Sequence, residues 1–462
     1  KGIFKGIVKG IVKEYLKELF MWYNNSVIYQ IYPLGLCGVP RTNQPESAAD
    51  PDSPRINRLL DWLPHLQKMG VNVVLFNPLF ESDKHGYDTR DMRKIDRRLG
   101  TNEDFKHICT EYRKAGIRLM LDGVFNHVGR GFWAFQDLIQ NKQDSQYKDW
   151  FFVDFNGNSN DNDGFWYAGW EGHYDLVKLN LHNPAVVDYI LDSVTEWIEQ
   201  YGISGLRLDV AYTVEKSFLK RLRQHCLSID PEFFLIGEMI HGDYKQIMNS
   251  EMCHSVTNYE CAKGNVSAFN SKNLFEIAHS LQRQFNPEPW ALYHGENNMV
   301  SFVDNHDIER VATVIQKAKN LPLVYTIMFT QPGIPAIYYG SEWGVHGDTG
   351  EQDWNLRPAF KQPQWNELTD YLQKLIEIRK NSHALACGSY RTVHLNNQQF
   401  LFERKTDQER IVVAINMSDQ PATIHFDAGC GQARELITDT LHDFGGGSTL
   451  APNSAEIWLM EK

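Results

Sequence analysis

The chain has 462 residues, 42% of them hydrophobic and 23% charged, which is long enough for one large domain with an insertion and a small appendage. Its 58 acidic and 46 basic side chains leave a net charge of −12, excluding nucleic acid as the main partner because phosphate binding needs a basic surface. Seven cysteines scattered without a CxxC pair read as reduced thiols in a cytoplasmic setting rather than as a disulfide framework or zinc site.

Residues 1–13 repeat Lys-Gly-Ile with a period of four, and with 1–20 placed on a helix Ile3, Phe4, Ile7, Val8, Ile11, Val12, Tyr15, Leu16, Leu19 and Phe20 share one apolar face. Five lysines against two glutamates make the segment basic and amphipathic. It reads as a surface-docking leader or, preferably, as a fused tag, since Met21 follows directly. Lysines interrupt any would-be signal-peptide core, and no apolar stretch elsewhere is long enough to span a bilayer, so no integral membrane segment is expected.

From residue 21 strand-like and helix-like runs alternate, the signature of βα units in a parallel sheet. Strands are expected at 27–32, 71–76, 117–121, 205–208, 233–236, 255–258, 299–303 and 334–338. Helices are expected at 56–69, 103–115, 184–201, 216–228, 274–285 and 321–330. Gly70 and Gly116 stand just before the second and third strands, where helix C-caps belong. Eight strands in this rhythm predict an α/β fold, a (β/α)8 TIM barrel over 21–127 and 178–385. The stretch 128–177, rich in Asn, Asp, Gly and Trp, breaks the rhythm and reads as an inserted domain after the third strand. Beyond 386 short alternating runs predict a C-terminal antiparallel β-sandwich over 386–462.

Four of the apolar runs end in acid or imidazole. They are Asp122-Gly-Val-Phe-Asn126-His127, Gly205-Leu-Arg207-Leu-Asp209, Gly237-Glu238 and Phe302-Val-Asp304-Asn305-His306-Asp307. In a parallel barrel the carboxyl ends of the strands converge, so these groups meet at one face. Converging carboxylates with histidines and an arginine are the equipment for breaking a glycosidic bond, which needs one ionised carboxylate and one protonated carboxyl.

In this order the segments resemble the conserved regions of the α-amylase superfamily of retaining glycoside hydrolases. Val177-Lys-Leu-Asn180 resembles a fifth region in the form seen in the neopullulanase and cyclomaltodextrinase branch, without that branch's N-terminal β-domain. His85-Gly-Tyr87-Asp88 and Pro335-Ala-Ile-Tyr-Tyr-Gly340 fall after the second and eighth strands, as in the family. The resemblance implies Asp209 as nucleophile, Glu238 as general acid/base and Asp307 as the third carboxylate, which orients the sugar. It also implies substrate binding by Tyr87, His127, Arg207, His306, Asp353 and Arg357, with Asp122 supporting from beneath. Arg207, two residues before Asp209, faces the same side of the strand and is expected to hold that carboxylate ionised. Glu238 has no cation adjacent in sequence and follows an apolar strand, a setting that raises a carboxyl pKa for acid duty. The histidines are read as neutral donors to sugar hydroxyls, and the ring of Tyr87 as a stacking surface. Asp353 and Arg357 read equally as a surface ion pair, and Trp133, Trp166, Trp170 and Trp343 as sugar platforms or core.

No cofactor is required by this reading, and no protein ligand set for a metal is assigned. Many amylases hold a structural calcium through the first-region Asn, a carboxylate of the insertion and a His four residues past the nucleophile; here Asn126 is present but Thr213 replaces the His, and the alternative is a calcium held by oxygen ligands of the acidic loop 156–163. The activity the resemblance implies is retaining hydrolysis of α-1,4 bonds in maltodextrin or starch-type glucans; Val210 after the nucleophile also occurs in α-1,6-acting relatives, so the linkage stays open. The partner is therefore an α-glucan oligo- or polysaccharide, with oligomeric state open. Alternatives are a glucanotransferase, a sucrose- or trehalose-active relative, and, more remotely, a non-catalytic glucan-binding or transporter-accessory protein.

Overall fold

Runs rich in Val, Ile, Leu and Phe, bounded by glycines and polar turns, become short buried strands in the computed structural model, which describes residues 21–460. Among these residues eight parallel strands form one sheet: β1 Ile28–Ile31, β2 Val73–Phe76, β3 Arg118–Gly123, β4 Gly205–Leu208, β5 Phe234–Gly237, β6 Ser255–Val256, β7 Val300–Ser301 and β8 Ile334–Tyr338. Neighbours in the sheet follow chain order from β1 to β6, while β8 joins β1 to β7. A parallel bridge between Thr257 and Val300 closes the ring between β6 and β7. The expected TIM barrel is thus formed. The amphipathic leader of residues 1–20 lies outside the described residues.

The helices between strands bury one stripe against the barrel. In Arg58–Met69 the buried set is Leu59, Trp62, His65, Leu66 and Met69, and Gly70 ends the helix at φ 86°, where a side chain would be strained. Asn102–Lys114 opens on a capping box, with Thr101 accepting from the Asp104 N–H and the Asp104 carboxylate accepting from the Thr101 N–H. Tyr259–Ser271, a helix the periodicity analysis leaves out, follows β6; its glycine and several polar residues weaken the apolar stripe.

Inside the barrel, alternate residues make an apolar plug: Ile28, Val73, Leu75, Met120, Phe234, Ile236, Val300, Phe302, Ile334 and Ala336. Side chains two apart on a strand share a face, so the next inward positions on successive strands are Gln30, Asn77, Asp122, Arg207 and Glu238. The floor of the site is the polar continuation of the hydrophobic plug.

Between β3 and β4 the insertion is not wholly irregular. It holds the helix Trp133–Asn141, a strand His173–Lys178 paired antiparallel with His127–Gly129, and a two-stranded pairing of Val153–Asp154 with Trp166–Tyr167. At the C-terminal end a six-stranded antiparallel sheet takes the order Ser389–Leu395, Gln399–Lys405, Arg410–Asn416, Ser454–Met460, Gln432–Glu435 and Thr440–Asp443. The pair Ala422–Ile424 and Ser448–Leu450 packs on it through Ile424 and Leu450 against Leu401, Val412 and Trp458, giving the second layer. No helix among the described residues is long and apolar enough to cross a membrane.

Candidate active site

Arg207 is the centre of the site because its position in the ring places it beside three acids. The β3–β4 register sets Arg207 opposite Asp122, and both point inward. Its Nη1 donates to Asp122 Oδ1 and Oδ2 at 2.8 and 3.0 Å and to Asp209 Oδ1 at 2.9 Å. Its Nη2 lies 2.9 Å from Glu238 Oε1. The guanidinium therefore does not belong to Asp209 alone, as its place in the sequence suggests. Glu238, which has no cation beside it in sequence, has this one in space. Asp122 is further held by the Tyr87 hydroxyl at 2.8 Å and the Asn77 amide at 3.1 Å, a supporting role.

Asp209 and Glu238 each follow the last residue of a strand, β4 and β5, and both are buried. Burial raises the pKa of both; Arg207 works against it, and the neighbouring acids add to it. Two such groups on one cation titrate as a pair. Glu238 Oε2 accepts the Val210 N–H at 2.8 Å, and the Tyr259 hydroxyl lies 3.4 Å from Oε1. Arg207 stays charged: burial opposes it, but Asp122 and Glu238 outweigh burial.

The loop after β7 brings His306 and Asp307 to the opposite wall. Asp307, the most exposed of the three acids, receives His306 Nε2 at 3.0 Å and Arg357 Nη2 at 3.1 Å. Burial would raise it, yet His306, Arg357 and Arg207 outweigh that and hold it below the usual carboxylate range. Arg357 also donates to the His306 carbonyl at 3.2 Å and lies 4.6 Å over the Tyr32 ring. Its separation from Asp353 is 3.9 Å, so Arg357 is bound chiefly to the site and only loosely to the partner its spacing proposes.

His127 is buried, and burial followed by the nearby His85 lowers its pKa to about 3, so the ring is neutral. Asn126 lies 3.2 Å from Nδ1, leaving Nε2 to carry the hydrogen; Nε2 has no hydrogen-bond partner and lies 3.9 Å from Asp209 Oδ2. A neutral donor facing the nucleophile position is what a sugar hydroxyl requires. Tyr87 is less free than expected: its ring stacks on His306 at 5.6 Å and its hydroxyl reaches His306 Nε2 at 2.5 Å.

The tryptophan candidates separate. Trp343 is buried between His65 and Phe360 and belongs to the core, the second of its two readings. Trp133 is part of an aromatic cluster with Tyr147 and Trp150 of the insertion and Tyr189 of the helix Pro184–Tyr201. Trp166 is exposed on the insertion's outer pairing. Trp170 alone stands by the site, 5.9 Å from the His127 ring and stacked on His173 at 5.5 Å.

Residues not singled out from the sequence complete the site. Gln30 and Asn77 bind His306 Nδ1 and each other from β1 and the end of β2. Asn305 accepts the Asp307 and Ile308 N–H groups through Oδ1, so its amide nitrogen donates to the Tyr259 hydroxyl at 2.9 Å. Strand parity marks Gln30 and Asn77; Tyr259 follows a strand end but carries no acid or imidazole to flag it.

The residues weighed for calcium have the following partners. Asn126 serves His127, Thr213 binds the Val210 carbonyl, and Asp161 and Asp163 of the acidic loop pair with Arg130. Among the described residues no group of three or more His, Cys, Asp or Glu side chains is placed to hold a metal ion.

The family profile described as the α-amylase catalytic domain matches residues 55–361. The intracellular maltogenic amylase of Bacillus subtilis strain 168 is 29% identical over 416 residues, 86% of this chain and 69% of that protein. Neopullulanase 2 of Thermoactinomyces vulgaris is 30% identical over 425 residues, covering 87% and 71%. Among solved structures, the ligand-free cyclic α-maltosyl-(1→6)-maltose hydrolase of Arthrobacter globiformis superposes with a TM-score of 0.79 at 26% identity, covering 96% of this chain and all of that one.

Proposed function

Because the chain belongs to the α-amylase family of glycoside hydrolases, we propose that it cleaves α-glucosidic bonds of maltodextrin or starch-type glucans with retention of configuration. In this reading Glu238 gives its proton to the glycosidic oxygen while the Asp209 carboxylate attacks the anomeric carbon, and the C–O bond to the leaving chain breaks. Water, deprotonated by Glu238, then attacks the glucosyl ester, and Asp209 leaves as the carboxylate. Asp307, held ionised between His306 and Arg357, binds hydroxyls of the same sugar, and the Nε2–H of His127 donates to another.

The observation that carries the reading is the single guanidinium of Arg207 bridging Asp122, Asp209 and Glu238. It offsets the charge of the attacking Asp209 and of Glu238, which gives up a proton in the first step and takes one from water in the second. Similarity to a maltogenic amylase and to a cyclic α-maltosyl-(1→6)-maltose hydrolase supports trying maltodextrins and (1→6)-linked maltosyl units alike.

The test is product analysis of wild type and Asp209→Asn with maltoheptaose, cyclodextrin, pullulan and starch, with the anomer of the first product read by NMR. The expected result is cleavage of at least one substrate with retention, and a loss of about a thousandfold or more in the variant, about 4 kcal/mol of barrier. Cleavage of none of the four, or release of the inverted anomer, overturns the proposal.

A further inference from the structure

Val210, immediately after the candidate nucleophile, is buried and left-handed at φ 41° and ψ 42°. A β-branched residue is a genuine outlier there, and it persists only where its surroundings hold it. Both ends of Val210 are held. Its N–H donates to Glu238 Oε2 at 2.8 Å. Its carbonyl accepts two hydrogen bonds from one residue, the Thr213 N–H at 2.8 Å and the Thr213 hydroxyl at 2.9 Å. The backbone bond is the ordinary closure of the short 3-10 turn Ala211–Thr213; the hydroxyl is an addition to it.

We propose that Thr213 is a positioning residue for the acid/base carboxyl, its hydroxyl fixing the left-handed turn that aims the Val210 N–H at Glu238. The inference rests on the assignment of Glu238 as acid/base. Without the hydroxyl, Val210 relaxes toward the extended region that its branched side chain prefers, and the peptide N–H turns away from Oε2.

That N–H matters because Glu238 has few other donors. Facing it are Arg207 and Asp209 from β4, Tyr212 from the turn, Tyr259 from beyond β6, and His306 and Asp307 from beyond β7. Among the described residues only Arg207, the Val210 N–H and the more distant Tyr259 hydroxyl donate to its carboxylate. A donor to a carboxylate favours the ionised form, so losing one makes Glu238 a weaker acid. The alkaline limb of kcat/KM reports the acid of the free enzyme and moves to higher pH when that acid weakens.

The experiment is the pH profile on maltotriose of wild type, Thr213→Val, Thr213→Ser and the double variant Val210→Gly/Thr213→Val, with Thr213→Ala replacing the Val variant if that does not fold. Thr213→Val is expected to lower kcat about tenfold with KM within about twofold, and to raise the alkaline limb by about one pH unit. Thr213→Ser restores both by returning the hydroxyl. Adding Val210→Gly restores both by another route, since glycine takes the left-handed conformation without a tether. An alkaline limb unmoved in Thr213→Val, or a loss that the added Val210→Gly change does not repair, overturns the inference while leaving the proposed function standing. A wild type that cleaves no α-glucan takes both down.

Discussion

Replacing Arg207 by Met keeps an unbranched stem and removes the cation shared by Asp122, Asp209 and Glu238. Removing one partner of a buried charge pair costs about 3–5 kcal/mol, because the other charge is left without compensation. Unfolding entropy is about 2.1 cal/mol/K per residue near 60 °C, close to 1 kcal/mol/K for this 462-residue chain. The expected fall in Tm at neutral pH is therefore about 3–5 °C. The deficit must depend on pH in a set direction. Burial already raises Asp209 and Glu238 in the folded state, and loss of Arg207 raises them further. A carboxyl with a raised folded pKa destabilises increasingly as pH climbs toward that value, and it costs nothing below its unfolded pKa of about 4. Calorimetry at pH 8 and pH 4.5 should show the full deficit at the first and a much smaller one at the second. A deficit equal at both, or larger at pH 4.5, would mean that Arg207 does not hold these carboxylates. Activity should fall by about a thousandfold or more, since both chemical groups lose their common partner.

The same linkage makes Asp209→Asn more stable than wild type at pH 8, with the advantage shrinking toward pH 4; calorimetry of the inactive variant checks this. His127→Phe, which removes the free Nε2 donor and keeps a ring, should lower kcat/KM by about 1–2 kcal/mol, roughly five- to thirtyfold. Because the folded pKa of His127 is lowered to about 3, its stability contribution is present above about pH 6.5 and is lost as pH falls toward 3. Acid titration of the Phe variant should accordingly show unfolding at lower pH than wild type. Trp343→Ala should lower Tm by about 3–5 °C through a core cavity of about 3–5 kcal/mol. Trp170→Ala, beside His127, should instead raise KM about tenfold with Tm nearly unchanged. The reverse pattern in the two tryptophan variants would exchange their roles.

What could be read from the chain in advance was whatever strand parity carries. Side chains on the barrel strands repeat every two residues, so a register of Ile28, Val73, Leu75, Met120 and Ile236 extends upward to Gln30, Asn77, Asp122 and Glu238 without further information. The acids at strand ends were therefore legible as one site. Their partners were not. That Arg207 lies opposite Asp122 is a fact of the β3–β4 register, which depends on the intervening residues 124–204 and the insertion they contain. The sequence neighbour, Asp209, is only one of its three ligands.

Beyond the strands, periodicity stops and the backbone takes over. The insertion's helix Trp133–Asn141 and the helix Tyr259–Ser271 were missed for related reasons: one is short, and in the other the apolar stripe is diluted by Lys263, Gly264 and Asn265. Val210 shows the same limit at a single residue. Its composition predicts an extended conformation, and the observed left-handed one exists because Glu238 and Thr213 grip its two peptide groups. Local preference loses there to a turn closure and a hydroxyl bond made within the turn by Thr213 and to a bond with Glu238, whose carboxylate is in reach only because β4 and β5 are side by side. A residue whose propensity is overruled next to the reacting atoms marks where the fold departs from its local rules to place a donor, which is why Val210 and its tether carry more information about the chemistry than the acids' motif alone.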